Sequence, residues 1–385
     1  MRITSPSRWV LPHTLLALAL LLPEIGNAQP PKIAASPSTL PQEPATTTLT
    51  APPSSGWTAL PIASYTPETE LGIGAFAANF FRLGLADADS RPSSFAGVVL
   101  ATTRRQLVME LIPEVYWDQD RYRLWSKLDY HYYPNSFWGV GPHTRESQRE
   151  WYRESGPRLR VQLRRSVVGH MYAEAQFDTQ FIHVRNLSNE GDLAERRVDG
   201  ATGARVVGLG GAVGWDSRDH ILSPHEGALS ELSLFQFHAL LGSEYNFNRF
   251  TLNLRKYFPV AADQTLALQF YSEIAAGAIP FYRLPMLGGQ HLLRGYFEGR
   301  YRDRALVLTQ AEYRFPLFWR VGAVGFAGFG EVAPAVHHFG FWPLKWSLGG
   351  GLRFLLAKSE RLNLRADAGI GYRTWGFYVG VAEAF

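Results

Sequence analysis

The residues best suited to chemistry crowd one short stretch: Asp216, Asp219, His220, Ser223 and His225. Acid, imidazole and hydroxyl are the parts of a nucleophilic hydrolase. No G-x-S-x-G nucleophile elbow accompanies them. With 11 His in the chain, such crowding is expected by chance. Asp216, Arg218 and Asp219 read better as a charge network that steadies a turn, worth about 1 kcal/mol if exposed. His337 and His338 are adjacent in a predicted loop, with no further metal-ligand spacing around them. The chain has no cysteine, which excludes a disulfide framework, a cysteine zinc site and a lipidated N-terminal Cys. No cofactor or metal is indicated, and no constellation meets the requirements of an enzyme.

The elements that carry these residues follow from composition and period. The chain has 385 residues, 14% aromatic, with 36 Gly and 24 Pro, which favours strands and turns. Its net charge of +4 is modest and its arginines are spread among aromatics, so nucleic acid is not an expected partner. Arg2 and Arg8 precede the apolar run Val10 to Leu22, and Gly26-Asn27-Ala28 supplies small residues. This is a secretory signal cleaved near Ala28; the run is short for a spanning helix, which needs about 20 residues. An uncleaved N-terminal anchor is the other reading. Residues 29–56, rich in Pro, Ala, Ser and Thr, form a disordered or extended linker.

From Trp57 to Phe385 the period is two. In 306–315, Val307, Ala311, Tyr313 and Phe315 face one way and Gln310, Glu312 and Arg314 the other. In 362–373, apolar Leu364, Ala366, Ala368 and Ile370 oppose Asn363, Arg365 and Asp367. Strands fall near 58–65, 70–83, 94–103, 106–117, 121–133, 148–165, 169–185, 203–217, 227–240, 246–259, 263–278, 304–316, 319–332, 342–356, 360–373 and 376–385. That is about 16, the even number of a closed bacterial outer-membrane barrel. The expected fold is all-β, a 16-stranded antiparallel transmembrane barrel. With a periplasmic start, the three longest connections (279–303, 186–202 and 134–147) face outward, as such barrels require. The segments 84–93 and 218–226 are long for periplasmic turns. A secreted β-sandwich would also alternate, but paired charges opposite an apolar face suit a lumen better.

The stretch LGGQHLLRGYFEGRYRDRALVLTQAEYRFPL (287–317) resembles the BamA/TamA, or bacterial surface antigen, family. Leu293-Arg294-Gly295-Tyr296 matches the tip of that family's sixth extracellular loop, between strands eleven and twelve. WDSRDHILSPHEG (215–227) is similar to its periplasmic turn motif, with Asp216, Arg218, Asp219, Pro224 and Gly227. The ending GFYVGVAEAF resembles its last strand, so Phe377, Tyr378 and Phe385 are the expected C-terminal assembly signal. The resemblance implies that the loop folds into the lumen and that Arg294 is locked there by Glu312. A guanidinium is always charged and, in a partly dry lumen, needs a carboxylate. Gly288 and Gly289 allow a tight turn into the loop, and Gly295 an unusual dihedral at its tip. One departure stands out: the family's Asp on the next strand is replaced by Gly328, so Glu312 acts alone or with Glu331 or Asp367.

The resemblance further implies a role in outer-membrane assembly, or in translocation of protein or lipid, through a seam between first and last strands. The first strand, short and containing Pro61, is expected to pair poorly, unless Pro61 merely starts it. Expected partners are outer-membrane lipid, the barrel assembly machinery through the C-terminal strand, and a separate periplasmic protein. The chain before the barrel offers only the linker, without the family's periplasmic docking domains. A passive channel or receptor is therefore the alternative, since function does not follow from fold alone. Either way the expected location is the outer membrane of a Gram-negative bacterium.

Overall fold

Alternation along each segment lets a strand turn an apolar face to lipid and a polar face inward, and only closure removes the unpaired edges. The computed structural model describes residues 56–83, 91–340, 344–358 and 361–385. The signal and linker expected over 1–28 and 29–56 lie outside the described residues except for Gly56.

Sixteen strands form one closed antiparallel barrel. They are β1 (Gly56–Thr66), β2 (Glu70–Phe81), β3 (Ser93–Thr102), β4 (Leu107–Trp117), β5 (Tyr122–Phe137), β6 (Glu150–Val168), β7 (Met171–Asn186), β8 (Gly203–Asp216), β9 (Gly227–Phe237), β10 (Phe247–Ala261), β11 (Gln264–Gly277), β12 (Ala305–Phe318), β13 (Val321–Ala333), β14 (Lys345–Ala357), β15 (Leu362–Gly371) and β16 (Thr374–Val381). Inside the β11–β12 connection, Met286 and Leu287 pair with Arg302 and Tyr301. No helix among the described residues is long and apolar enough to cross a membrane.

Burial is inverted relative to a water-soluble protein. Leu348 and Ile370 are 54% and 50% exposed, whereas Glu312 and Asp367 are 0% exposed. Apolar side chains outside and charges inside are the arrangement of a barrel in lipid, not of a sandwich.

Three expectations need correction. β5 runs to Phe137, not 133, and pairs Phe137 with Glu150, which shortens the outward loop that follows. β1 is not short: its 11 residues pair with β2 along their whole length, Pro61 opposite Ala75. Its weakness lies on the other side, where, among the described residues, Tyr65↔Val379 is the one register pair with β16. The last strand ends at Val381 rather than Phe385. Ala382 adopts a positive φ of 64°, and Ala382 to Phe385 are buried.

Candidate functional site

The β11–β12 loop, residues 278–304, crosses the inside of the barrel. Arg283 near its start donates to Asp178 on β7 at 3.2 Å. Its own carbonyl accepts from Arg249 on β10. Further on, Leu287, Leu292, Leu293 and Tyr296 pack with Tyr271, Leu306, Leu308 and Val332 of the wall. The tip then reaches β15 and β16. One wall thus anchors the loop's start and the opposite wall its tip.

Arg294 is 1% exposed and lies between two acids. Nη2 donates to Glu312 on β12 and Nη1 to Asp367 on β15, each at 2.5 Å. The guanidinium also stacks 3.5 Å over the Phe326 ring. A planar, permanently charged fork suits two acids on different strands, where the point charge of Lys would serve one. The second acid is therefore Asp367. Glu331 is elsewhere, accepting the Gly340 amide at 3.1 Å.

The geometry explains why the acid is not at 328. A Cβ on Gly328 would come within 3.1 Å of Leu293 Cδ1 and 3.0 Å of Gln310 Cβ. The loop's leucine occupies the space that a side chain there would need. Room for Asp367 comes from its cross-strand partner Gly351, whose Cβ would sit 2.0 Å from Asp367 Oδ1.

Around this centre the charges continue. Arg314 donates to Glu312 at 2.8 Å, and Arg353 donates to Asp367 and, at 2.7 Å, to Glu383. Arg365 lies 3.7 Å from Asp367 and donates to Gln290 at 2.7 Å. Four arginines share three carboxylates, all buried. Breaking one partner from such a set leaves an uncompensated charge in a dry interior.

The backbone of the tip is fixed as closely. Gly295 has φ 105°, and a Cβ there would lie 3.0 Å from the Gly369 carbonyl carbon, so only glycine fits. Its amide donates to the Tyr378 hydroxyl at 2.9 Å, and that hydroxyl donates to the Tyr296 carbonyl at 3.2 Å. Tyr296 donates to the Trp346 carbonyl at 3.0 Å and accepts the Tyr372 amide at 2.9 Å. Gly371 leaves the space for its ring. Gly288 and Gly289 have φ 110° and 84° where the loop turns.

Of the three residues expected as an assembly signal, Phe377 faces outward against Tyr65, while Tyr378 faces the lumen at the loop tip. Phe385 lies inside with Tyr257, Ala267 and Ala384. The sequence reading did not single out Arg283, Ser347 or Glu383. Ser347 donates to the Arg294 carbonyl.

The long β8–β9 turn also has a place. Asp216 accepts two bonds from the Arg218 guanidinium, each 2.8 Å, and one from its amide at 3.3 Å. Asp219 accepts the His225 and Glu226 amides at 2.9 and 3.2 Å and pairs with Arg361 before β15. The Pro224 carbonyl accepts from Arg314 at 3.3 Å, and the Leu222 carbonyl accepts the Glu383 amide at 3.3 Å. Gly227 starts β9. These contacts carry the turn across this mouth of the barrel to the C-terminal residues. Its Ser and His are all engaged: His220 Nδ1 accepts the Leu222 and Ser223 amides at 3.2 and 3.3 Å, the Ser223 hydroxyl accepts from Asn363 on β15 at 3.5 Å, and His225 bonds Thr265 on β11 at 2.9 Å.

Burial, with Arg361 beside it, holds the His220 pKa down from 6.5 to about 4. Protonation would turn the acceptor Nδ1 into a donor. The contribution of neutral His220 is complete above pH 6.5 and is lost as pH falls towards about 4. Asp219 titrates in the same sense: burial raises its pKa, but bonds from Arg361 and two amides outweigh that and hold it low. The protection factors of the Leu222 and Ser223 amides should therefore fall across that window, and His220→Gln should flatten the response. An unchanged profile would remove His220 from this role.

An Omp85 superfamily domain profile matches residues 98–385. No curated protein sequence matches the chain. Among solved structures, BamA from Haemophilus ducreyi lacking POTRA domains 1–3 is similar over 85% of this chain and 70% of its own, at 14% identity and TM-score 0.60. CdiB from Escherichia coli is similar over 87% of this chain and 64% of its own, at 11% identity and TM-score 0.58. CdiB from Acinetobacter baumannii is similar over 85% and 59%, at 12% identity and TM-score 0.54. The chain spans less than two thirds of either CdiB chain.

Proposed function

The chain belongs to the Omp85 superfamily, as an outer-membrane barrel of a Gram-negative bacterium, and from that premise we propose that it assembles or translocates protein or lipid through the seam between β1 and β16. One observation carries the reading. β1 pairs with β2 at every residue, but with β16 only at Tyr65↔Val379. Pro61 offers no N–H to either neighbour. An unpaired strand edge in lipid is costly, so it is a natural place for another strand to add or for the wall to part.

In the same reading Arg294, Glu312, Gly288, Gly289, Gly295 and Tyr296 form the lock that holds the inner loop against β15 and β16. Asp216, Arg218, Asp219, Pro224 and Gly227 brace the periplasmic mouth. Phe377, Tyr378 and Phe385 address the nascent chain to the barrel assembly machinery. A signal cleaved near Ala28 and a 29–56 linker precede the barrel, and a separate periplasmic protein supplies client docking. The passive-pore alternative is disfavoured by a lumen crossed by the loop and by residues 382–385.

The absence of cysteine makes a clean test available. Paired Tyr65→Cys and Val379→Cys should form a disulfide, because directly opposed strand residues lie within bridging distance. A liposome assay with a urea-unfolded outer-membrane barrel as client would read insertion rates. We expect acceleration by the reduced variant and none by the oxidised one. Equal acceleration in both states would rule out the seam as the route.

A further inference from the structure

Near the extracellular end of β6 and β7, Arg153 and Arg185 are direct cross-strand partners on the outer face of the barrel. The same face of these strands carries Leu163 and Phe181, so both guanidinium groups leave the wall on the lipid side. Like charges placed directly opposite destabilise an antiparallel pair. A cation on the lipid face adds a cost that is small only near an interface. Neither arginine is paired with a carboxylate among the described residues. Arg153 instead donates to the Tyr132 hydroxyl at 2.8 Å and lies 4.7 Å over that ring.

Two more arginines join from above. Trp151, two residues before Arg153 on the same face, has Arg149 at 4.2 Å and Arg104 at 5.8 Å over its ring. The acids nearby are Glu70, 3.1 Å from Arg104, and Glu146, 3.6 Å from Arg149. Glu146 is shared with Arg300, also at 3.6 Å. Cations therefore outnumber acids, and the surplus sits at the level of the aromatics Tyr132 and Trp151. Burial, together with Arg104 and Arg300, pulls the Arg149 pKa down, against Glu146, as expected where positive charge is crowded.

We propose that this face binds the phosphate groups of a phosphorylated glycolipid in the outer leaflet. Arg153 and Arg185 would share one phosphate in charge-assisted bonds, with Arg149 and Arg104 above and Tyr132 and Trp151 flanking the sugar. A phosphate between the two forks converts their repulsion into attraction on both sides. The source is fixed by position: the arginines lie at the extracellular end of the wall, where outer-leaflet headgroups stand, rather than at the periplasmic end.

The refolded barrel would be placed in phosphatidylcholine vesicles, alone or doped with diphosphoryl lipid A or with phosphatidylglycerol, and its thermal unfolding midpoint measured. Lipid A should raise the wild-type midpoint more than phosphatidylglycerol at equal charge. Arg153→Gln with Arg185→Gln should lose most of that rise, and lipid A should bind about a hundredfold more weakly, as for two lost charged hydrogen bonds. The variant's midpoint in phosphatidylcholine alone should hold or increase, because the repulsion is gone. If the double variant does not refold, Arg185→Gln alone should lose part of that rise, since that side chain is exposed and makes no ion pair among the described residues. A rise that survives both substitutions would overturn the site. An equal rise with phosphatidylglycerol would overturn the glycolipid as its occupant.

Discussion

Arg294→Ala should lower the stability of the refolded barrel by about 3–5 kcal/mol, the cost of removing one partner from a buried ion pair. The size follows from burial: Arg294, Glu312 and Asp367 are all 1% exposed or less. Glu312 would retain Arg314, and Asp367 would retain Arg353, but each carboxylate would lose a 2.5 Å charged donor in a dry interior. The loop tip would also lose its guanidinium anchor and its stack on Phe326, worth about 2 kcal/mol when desolvated. Arg294→Lys should recover a minor part, because one ammonium cannot span both acids. Asp367→Asn should cost a comparable amount, since Arg294 and Arg353 both donate to that carboxylate. Glu331→Gln should cost much less, its contact being a single loop amide. Adding Gly328→Asp to Asp367→Asn should not rescue it, because Leu293 fills the space. Urea unfolding of the five variants in detergent micelles gives the ranking. Equal midpoints for Asp367→Asn and Glu331→Gln would sink the assignment of Asp367 as the second acid.

Much of this site was legible from alternation alone. Parity places Glu312, Arg314, Arg365 and Asp367 inside, because each alternates with residues that only lipid can accept. The resemblance supplied Arg294. Choosing between Glu331 and Asp367 was beyond the sequence. That choice depends on where the loop tip lies around the wall, and glycines set that: Gly369 and Gly371 on β15 let the tip approach, and Gly328 on β13 makes room for Leu293. Glycines on an alternating strand look like ordinary weak positions when read singly. Tyr378 is grouped by the resemblance with Phe377 in one C-terminal signal, yet its parity opposes that of Phe377 and sends it inward. The length of 218–226 counted against a simple turn, and the contacts to Arg314, Arg361 and Glu383 are the reason for that length.

The inward turn at Ala382 left one trace in the sequence, and it leads to the second large effect. In β16 the odd positions Trp375 and Phe377 face out. Continued as a strand to Phe385, the chain would put Glu383 on the lipid side, where a carboxylate is unfavourable. Turning in at Ala382 places it instead 2.7 Å from Arg353, 3.7 Å from Arg314 and 2.8 Å from the Asn363 amide. The residues beyond are held by Arg314 on the Phe385 carbonyl oxygen at 2.9 Å and by His291 on that of Ala384 at 2.8 Å. Glu383→Ala should therefore cost about 3–5 kcal/mol as well, by leaving buried arginines short of an acid. It should act differently from Arg294→Ala. The loop would keep its anchor, while residues 379–385 would lose theirs and exchange their amides faster. The periplasmic mouth would loosen behind a loop still in place, so conductance in planar bilayers should stay low. Deleting 286–300 should raise it, and combining the deletion with Glu383→Ala should raise it most. A wild-type barrel with large, steady conductance would contradict closure by the loop and tail together. Unchanged exchange at 379–385 in Glu383→Ala would mean that the inward turn is held by packing of Phe385 on Tyr257 rather than by charge.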